Sequence, residues 1–193
     1  MTSIAVSQTL LIRKSTTENT ALRDFLLITG GSLLVALLAQ LKIALPFTLV
    51  PITGQTLGVL LVGASLGSRR GAATILLYLL EGSLGLPFFA GGTAGIAALI
   101  GPTGGYLLGF VAAAFVAGLL AEKKMDRNWT TVIPAFLAAH TAVFVIGVPW
   151  LAVFVGKSAA IKTGFYPFIP GEIIKSTLAA IMIRSAWSAK RTV

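Results

Sequence analysis

From Val132 to Val155 the chain runs without a single Asp, Glu, Lys or Arg. A stretch of that length and character fits the roughly 17–25 apolar residues that an α-helix needs to cross a bilayer. Five further stretches read as candidate spans: Leu22–Leu45, Gln55–Leu66, Gly71–Leu84, Gly104–Ala121 and Ile169–Ser188. The second and third are short for a bilayer, so they are expected to be tilted or to be padded by protein in place of lipid. The expected fold is an all-α integral membrane protein with about six transmembrane helices in one bundle. No linker, charge block or internal repeat divides residues 22–193, which read as a single domain behind a polar tail over residues 1–21.

Composition supports lipid as the solvent. The chain is 56% hydrophobic and 11% charged, where a soluble domain carries about 25% charged residues. Its net charge is +9. The basic residues sit in short clusters between apolar runs and not along one face, which argues for membrane topology and against nucleic acid as a partner. Arg13, Lys14, Arg23, Arg69, Arg70, Lys123, Lys124, Arg127, Arg184, Lys190 and Arg191 fall on one side of the spans. Lys42, Lys157 and Lys162 fall on the other. The positive-inside rule then places both termini in the cytoplasm of a cell-membrane protein. The chain has no Cys, which excludes disulfides, thiolate metal sites and a thiol nucleophile.

The connections on the opposite side, residues 43–54 and 84–105, are apolar and rich in Gly and Pro. Backbone of this kind at membrane depth must find its hydrogen bonds in protein or around a cavity. The alternative is an ordinary surface loop, but loops are usually polar. A loop folded over a binding cavity is the expectation.

Two charges lie within the last span. Pro170 sits where a helix can begin, Glu172 falls in the first turn, where the helix dipole favours a carboxylate, and Lys175 follows three residues later on the same face. Each charge at mid-bilayer costs about 2.5–3.5 kcal/mol on the insertion scale. The two could simply pair near the interface. Placed in a cavity, Lys175 would hold a substrate carboxylate and Glu172 would accept substrate N–H groups. Gly105 and Tyr106 open the fourth span, and Thr53 and Gln55 open the second, as further candidates. Gly63-Ala64-Ser65-Leu66-Gly67 matches the spacing of a nucleophile elbow, but it lies in an apolar helix with no triad partners. Gly156-Lys157-Ser158 resembles the end of a phosphate-binding loop but lacks its first glycine. His140 alone makes no metal site and reads as a packing or hydrogen-bonding residue. No cofactor, metal or catalytic activity is expected.

The ordered series Leu45-Pro46-Phe47, Val50-Pro51-Ile52-Thr53, Gln55-Thr56-Leu57, Gly85 to Gly92, Gly101 to Tyr106 and Pro167 to Lys175 resembles the BioY family, biotin-specific S components of energy-coupling factor (ECF) transporters. The resemblance runs from about residue 32 to 185. It implies a six-helix fold, high-affinity capture of biotin from the outer side, and a partner complex of a transmembrane coupling protein and two cytoplasmic ATPases. It carries substrate contact onto Thr93, Gly105, Tyr106, Glu172 and Lys175. Glu172 stands where the family usually has Asp, and Leu107 stands where some members have Arg. Ser32 and Ala36 stand where the family has two alanines facing the coupling protein. A stand-alone secondary transporter or channel, or an intramembrane enzyme acting on a lipid, are the alternative readings.

Overall fold

The computed structural model describes residues 20–191, so most of the expected polar tail, Arg13 and Lys14 included, falls outside the described residues. Six long helices make the bundle: α1 (Thr20–Ala39), α2 (Gln55–Leu66), α3 (Ser68–Ser83), α5 (Gly104–Glu122), α6 (Trp129–Val155) and α8 (Ile169–Arg191). Between them come a two-residue antiparallel ladder, β1 (Lys42–Ile43) with β2 (Ile52–Thr53), and two short helices, α4 (Ile96–Ile100) and α7 (Lys157–Gly164). α1, α5 and α6 are long and apolar enough to cross a membrane. A helix saturates its own backbone hydrogen bonds, the condition for crossing hydrocarbon.

α2 has only 12 residues, about 18 Å of helix, well short of a bilayer core. Almost all of its side chains are buried by other helices, so it is padded by protein, as its length predicts. The first span ends earlier than the apolar run suggests. α1 stops at Ala39, and the Gln40 side chain donates back to the Ala36 carbonyl at 2.9 Å. Residues 40–45, expected to continue the helix, instead turn into the β1–β2 ladder, where Lys42 opposes Thr53 and Ile43 opposes Ile52. Hydropathy cannot separate these outcomes, because both leave an apolar segment with its backbone satisfied.

Close helix contact uses the small residues at four-residue spacing. A Cβ on Gly63 would lie 2.5 Å from the Ala114 carbonyl, and one on Gly109 would lie 2.9 Å from the Val143 Cα. α2 therefore seats on α5, and α5 on α6. Gly67, with φ +87°, forms the corner between α2 and α3, a backbone state that costs only glycine nothing.

One end of the bundle gathers described residues of the basic segments, Arg23, Arg70, Arg127 and Arg184 among them. Arg70 pairs with Asp24 at 2.9 Å. The amide and hydroxyl of Ser68 donate to Glu122 Oε1 at 2.8 and 2.9 Å, which caps α3 with a carboxylate from the end of α5. The Arg184 guanidinium donates to the Arg127 carbonyl, and Trp187 Nε1 donates to Asp126 Oδ2 at 2.6 Å. Burial pushes the Asp126 carboxyl above its ordinary range, and the Trp187 hydrogen bond partly offsets that shift. The alternation of spans read from the basic clusters is thus met in space. The opposite end carries the two apolar connections and a cavity.

The candidate binding cavity

The cavity measures about 410 Å³, within the range of small-molecule sites. Its roof is built from the apolar connections. In the longer one the backbone is held internally and by neighbours. The Phe89 amide donates to the Thr93 carbonyl at 3.0 Å, and the Gly95 amide to the Gly82 carbonyl at 2.7 Å. Trp150 Nε1 from α6 donates to the Gly101 carbonyl at 2.9 Å. The buried Phe89 ring sits over Gly82, where a Cβ would come within 2.4 Å of it, and meets Tyr78 edge to face at 5.6 Å. This segment folds over a cavity with its polar backbone paired, as the sequence suggests.

One side is aromatic. The Tyr106 ring stacks near Phe168 at 6.3 Å and meets Phe144 edge to face at 6.5 Å, while Phe144 meets Phe165 at 5.0 Å. The Tyr106 hydroxyl donates to the Gly164 carbonyl at 2.8 Å. Tyr106 therefore offers a ring face to the cavity and spends its hydroxyl on α7.

Facing this wall is a polar cluster drawn from three helices. Glu172 and Lys175 come from α8, Thr56 from α2 and His140 from α6. Lys175 Nζ donates to Glu172 Oε1 at 2.5 Å, to Thr56 Oγ1 at 2.6 Å and to the Thr53 carbonyl at 3.2 Å. An ammonium has three protons, so all three have partners. Glu172 Oε2 lies 2.7 Å from His140 Nε2, an ion-pair contact when the imidazole is protonated. The other ring nitrogen of His140 lies 3.0 Å from Ser176 Oγ. Both Glu172 and His140 are buried, and the pairing offsets a desolvation cost that neither could bear alone. The cluster presents a carboxylate acceptor and a committed ammonium toward an otherwise apolar space.

The chain matches the BioY family over residues 12–192. It is 44% identical over 169 residues to the biotin transporter BioY2 of Lactococcus lactis subsp. cremoris, covering 85% of this chain and 90% of that protein. It is 37% identical over 163 residues to the biotin transporter BioY of Rhizobium etli, covering 80% of this chain and 87% of that one. The chain belongs to the BioY family. Its fold also superposes on the crystal structure of the S-component for biotin from an ECF-type ABC transporter, with a TM-score of 0.78 and 26% identity, covering 90% of this chain and 95% of that chain. A multi-pass membrane protein with the all-helical S-component fold is what this BioY-family chain is.

Of the residues singled out by sequence, Glu172, Lys175, Tyr106, Gln55 and Thr93 line the cavity. Gln55 is largely committed. Its oxygen accepts from Thr53 at 2.8 Å, and its nitrogen donates to the Tyr78 hydroxyl at 2.6 Å. Thr93 is exposed, with its hydroxyl on the Ala90 carbonyl at 3.2 Å. Gly105 does not reach the cavity. It faces Trp150, where a Cβ would come within 2.3 Å of the Trp150 Cβ, so its role is helix packing. Ser32 and Ala36, the expected contacts for the coupling protein, pack within the chain itself. Both are buried on the inner face of α1, and the Ser32 hydroxyl donates to Glu81 of α3. The outward face of α1 carries Leu33 and Leu37 instead.

His140, expected to pack or hydrogen-bond, does bond Ser176 and also meets Glu172, while Lys42 and Thr56 join the site without having been singled out by sequence. The signal for His140 was a polar ring in a span free of charge, but its partner 32 positions away is invisible without the fold.

Proposed function

We propose that this chain is the biotin-binding S component of an ECF-type vitamin uptake transporter, capturing biotin from the outer side and catalysing no reaction. The observation that carries the reading is the cavity. An apolar chamber with an aromatic wall holds one buried carboxylate–ammonium–imidazole cluster, at the bundle end opposite the basic segments. Biotin has matching parts: a ureido ring with N–H donors and a carbonyl acceptor, an apolar thiophane, and a tail ending in carboxylate. Glu172 accepts from the ureido N–H groups, with Thr93 at the roof as a further polar contact. Lys175, whose protons go to Glu172, Thr56 and the Thr53 carbonyl, holds the Glu172 carboxylate in position for those N–H groups. The Tyr106 and Phe168 rings receive the thiophane.

With the basic segments inward, both termini lie in the cytoplasm. Release to the inside then depends on a transmembrane coupling protein and two ATPase subunits, the assembly the family resemblance implies. The reading is tested by calorimetric titration of biotin into the purified protein and into Glu172→Gln and Lys175→Ala. Saturable binding by the parent chain, weakened in both variants, supports it. No binding by the parent chain refutes the function, and unchanged affinity in both variants refutes the site.

A further inference from the structure

The cavity wall carries a second ammonium, Lys42, and among the described residues it has no counter-charge. Lys42 leaves β1 directly opposite Thr53, the residue whose carbonyl takes the Lys175 ammonium. Its side chain runs the other way, along the Ala90–Gly92 turn of the roof. A Cβ on Gly91 would lie 2.7 Å from the Lys42 Cδ and 3.3 Å from its Nζ. Gly91 sits at φ +66°, so both its backbone and its missing side chain leave the channel in which the Lys42 stem lies. Lys42 borders the cavity. Among the described residues it enters no ion pair and no hydrogen bond.

The charges of the chamber follow. Lys42 and Lys175 are positive and Glu172 is negative. Glu172 is matched by Lys175 at 2.5 Å, which leaves Lys42 as the lining charge without an opposite charge beside it among the described residues. Lys175 cannot be that charge, since its three protons already go to Glu172, Thr56 and Thr53. The geometry points to Lys42 as the residue that receives the carboxylate of the ligand, at the roof turn and apart from the Glu172–Lys175 cluster. This rests on the biotin reading above and deepens it. The site is built for a monoanion with a neutral polar head, held by two separate devices. Capture of the acid by Lys42 also brings the Ala90–Gly92 turn and the β1–β2 ladder onto one ligand atom group, fastening the roof over the bound molecule.

The test compares biotin with biotinamide, which keeps the ring system and lacks the negative charge, on the full chain in detergent. A charge-assisted hydrogen bond at an exposed ammonium is worth about tenfold in affinity. The parent chain is expected to prefer biotin over the amide by about that factor. Lys42→Met should lower biotin affinity about tenfold and leave the amide unchanged, Lys42→Arg should restore the preference, and Lys175→Met should weaken both ligands alike. Preserved amide binding shows that the variants are folded. Equal losses for both ligands in Lys42→Met, or an unchanged preference for biotin, would overturn the assignment. A parent chain that binds neither ligand would instead bring down the biotin reading, and this inference with it.

Discussion

The Glu172–Lys175 pair should be worth more as a pair than either member is alone, and the size of that coupling can be worked from its surroundings. At the observed 2.5 Å the gross attraction is about 6–7 kcal/mol for an effective dielectric of about 20. Desolvation of both charges removes most of it. Removing one partner, however, leaves the other buried and uncompensated, which costs about 3–5 kcal/mol. Lys175 keeps Thr56 and the Thr53 carbonyl when Glu172 is neutralised, so Glu172→Gln belongs at the low end, about 3 kcal/mol. Lys175→Met belongs nearby, because Glu172 retains His140 at 2.7 Å. The double variant leaves neither charge and should cost about 2 kcal/mol less than the sum of the singles. Unfolding of the ligand-free protein in detergent, followed by helical signal, gives all four stabilities. If the two losses add to within about 0.5 kcal/mol, the side chains do not depend on each other and the cluster described above is wrong.

Tyr106→Phe keeps the aromatic wall but strands the buried Gly164 carbonyl, so stability should fall by about 1–3 kcal/mol with ligand affinity nearly unchanged by titration. Gly109→Leu drives a side chain into the Val143 backbone and should cost at least about 1–3 kcal/mol, seen as loss of the monodisperse peak in size exclusion. Gly30→Leu, with nothing within 4 Å of its Cβ, should elute like the parent. Because burial raises the Asp126 carboxyl, the folded protein holds that proton more tightly than the unfolded chain does. The contribution to stability is therefore full at acid pH and is lost as pH rises through the raised value. Asp126→Asn should flatten that slope in thermal unfolding measured across pH, and an unaltered slope would show that another group is responsible.

The bundle was legible in the sequence because lipid imposes a strict rule on backbone hydrogen bonds, and uninterrupted apolar runs report it directly. Gln55–Leu66 is bounded as expected. The end of α1 was not legible, since Leu41 to Leu45 is as apolar as the helix before it. Glu172 and Lys175 were conspicuous as charges inside a span. His140, Thr56 and Lys42 were not, because what makes them part of the site is contact between residues far apart in the chain. The packing of Gly105 on Trp150 and of Ser32 against α3 was hidden for the same reason: a motif gives a residue's place along a helix, and only the packed neighbours fix which way that place faces.

The interlocked rings of Tyr106, Phe144, Phe165 and Phe168 have a bearing on the traffic of cargo. Walls set rigidly beforehand surrender little freedom when a guest arrives, so occupancy is cheap in entropy and tenure is long. The same stiffness denies the guest an easy exit. A receptacle of this make empties promptly only when outside force prises it open, and so its turnover is governed by whatever supplies that force.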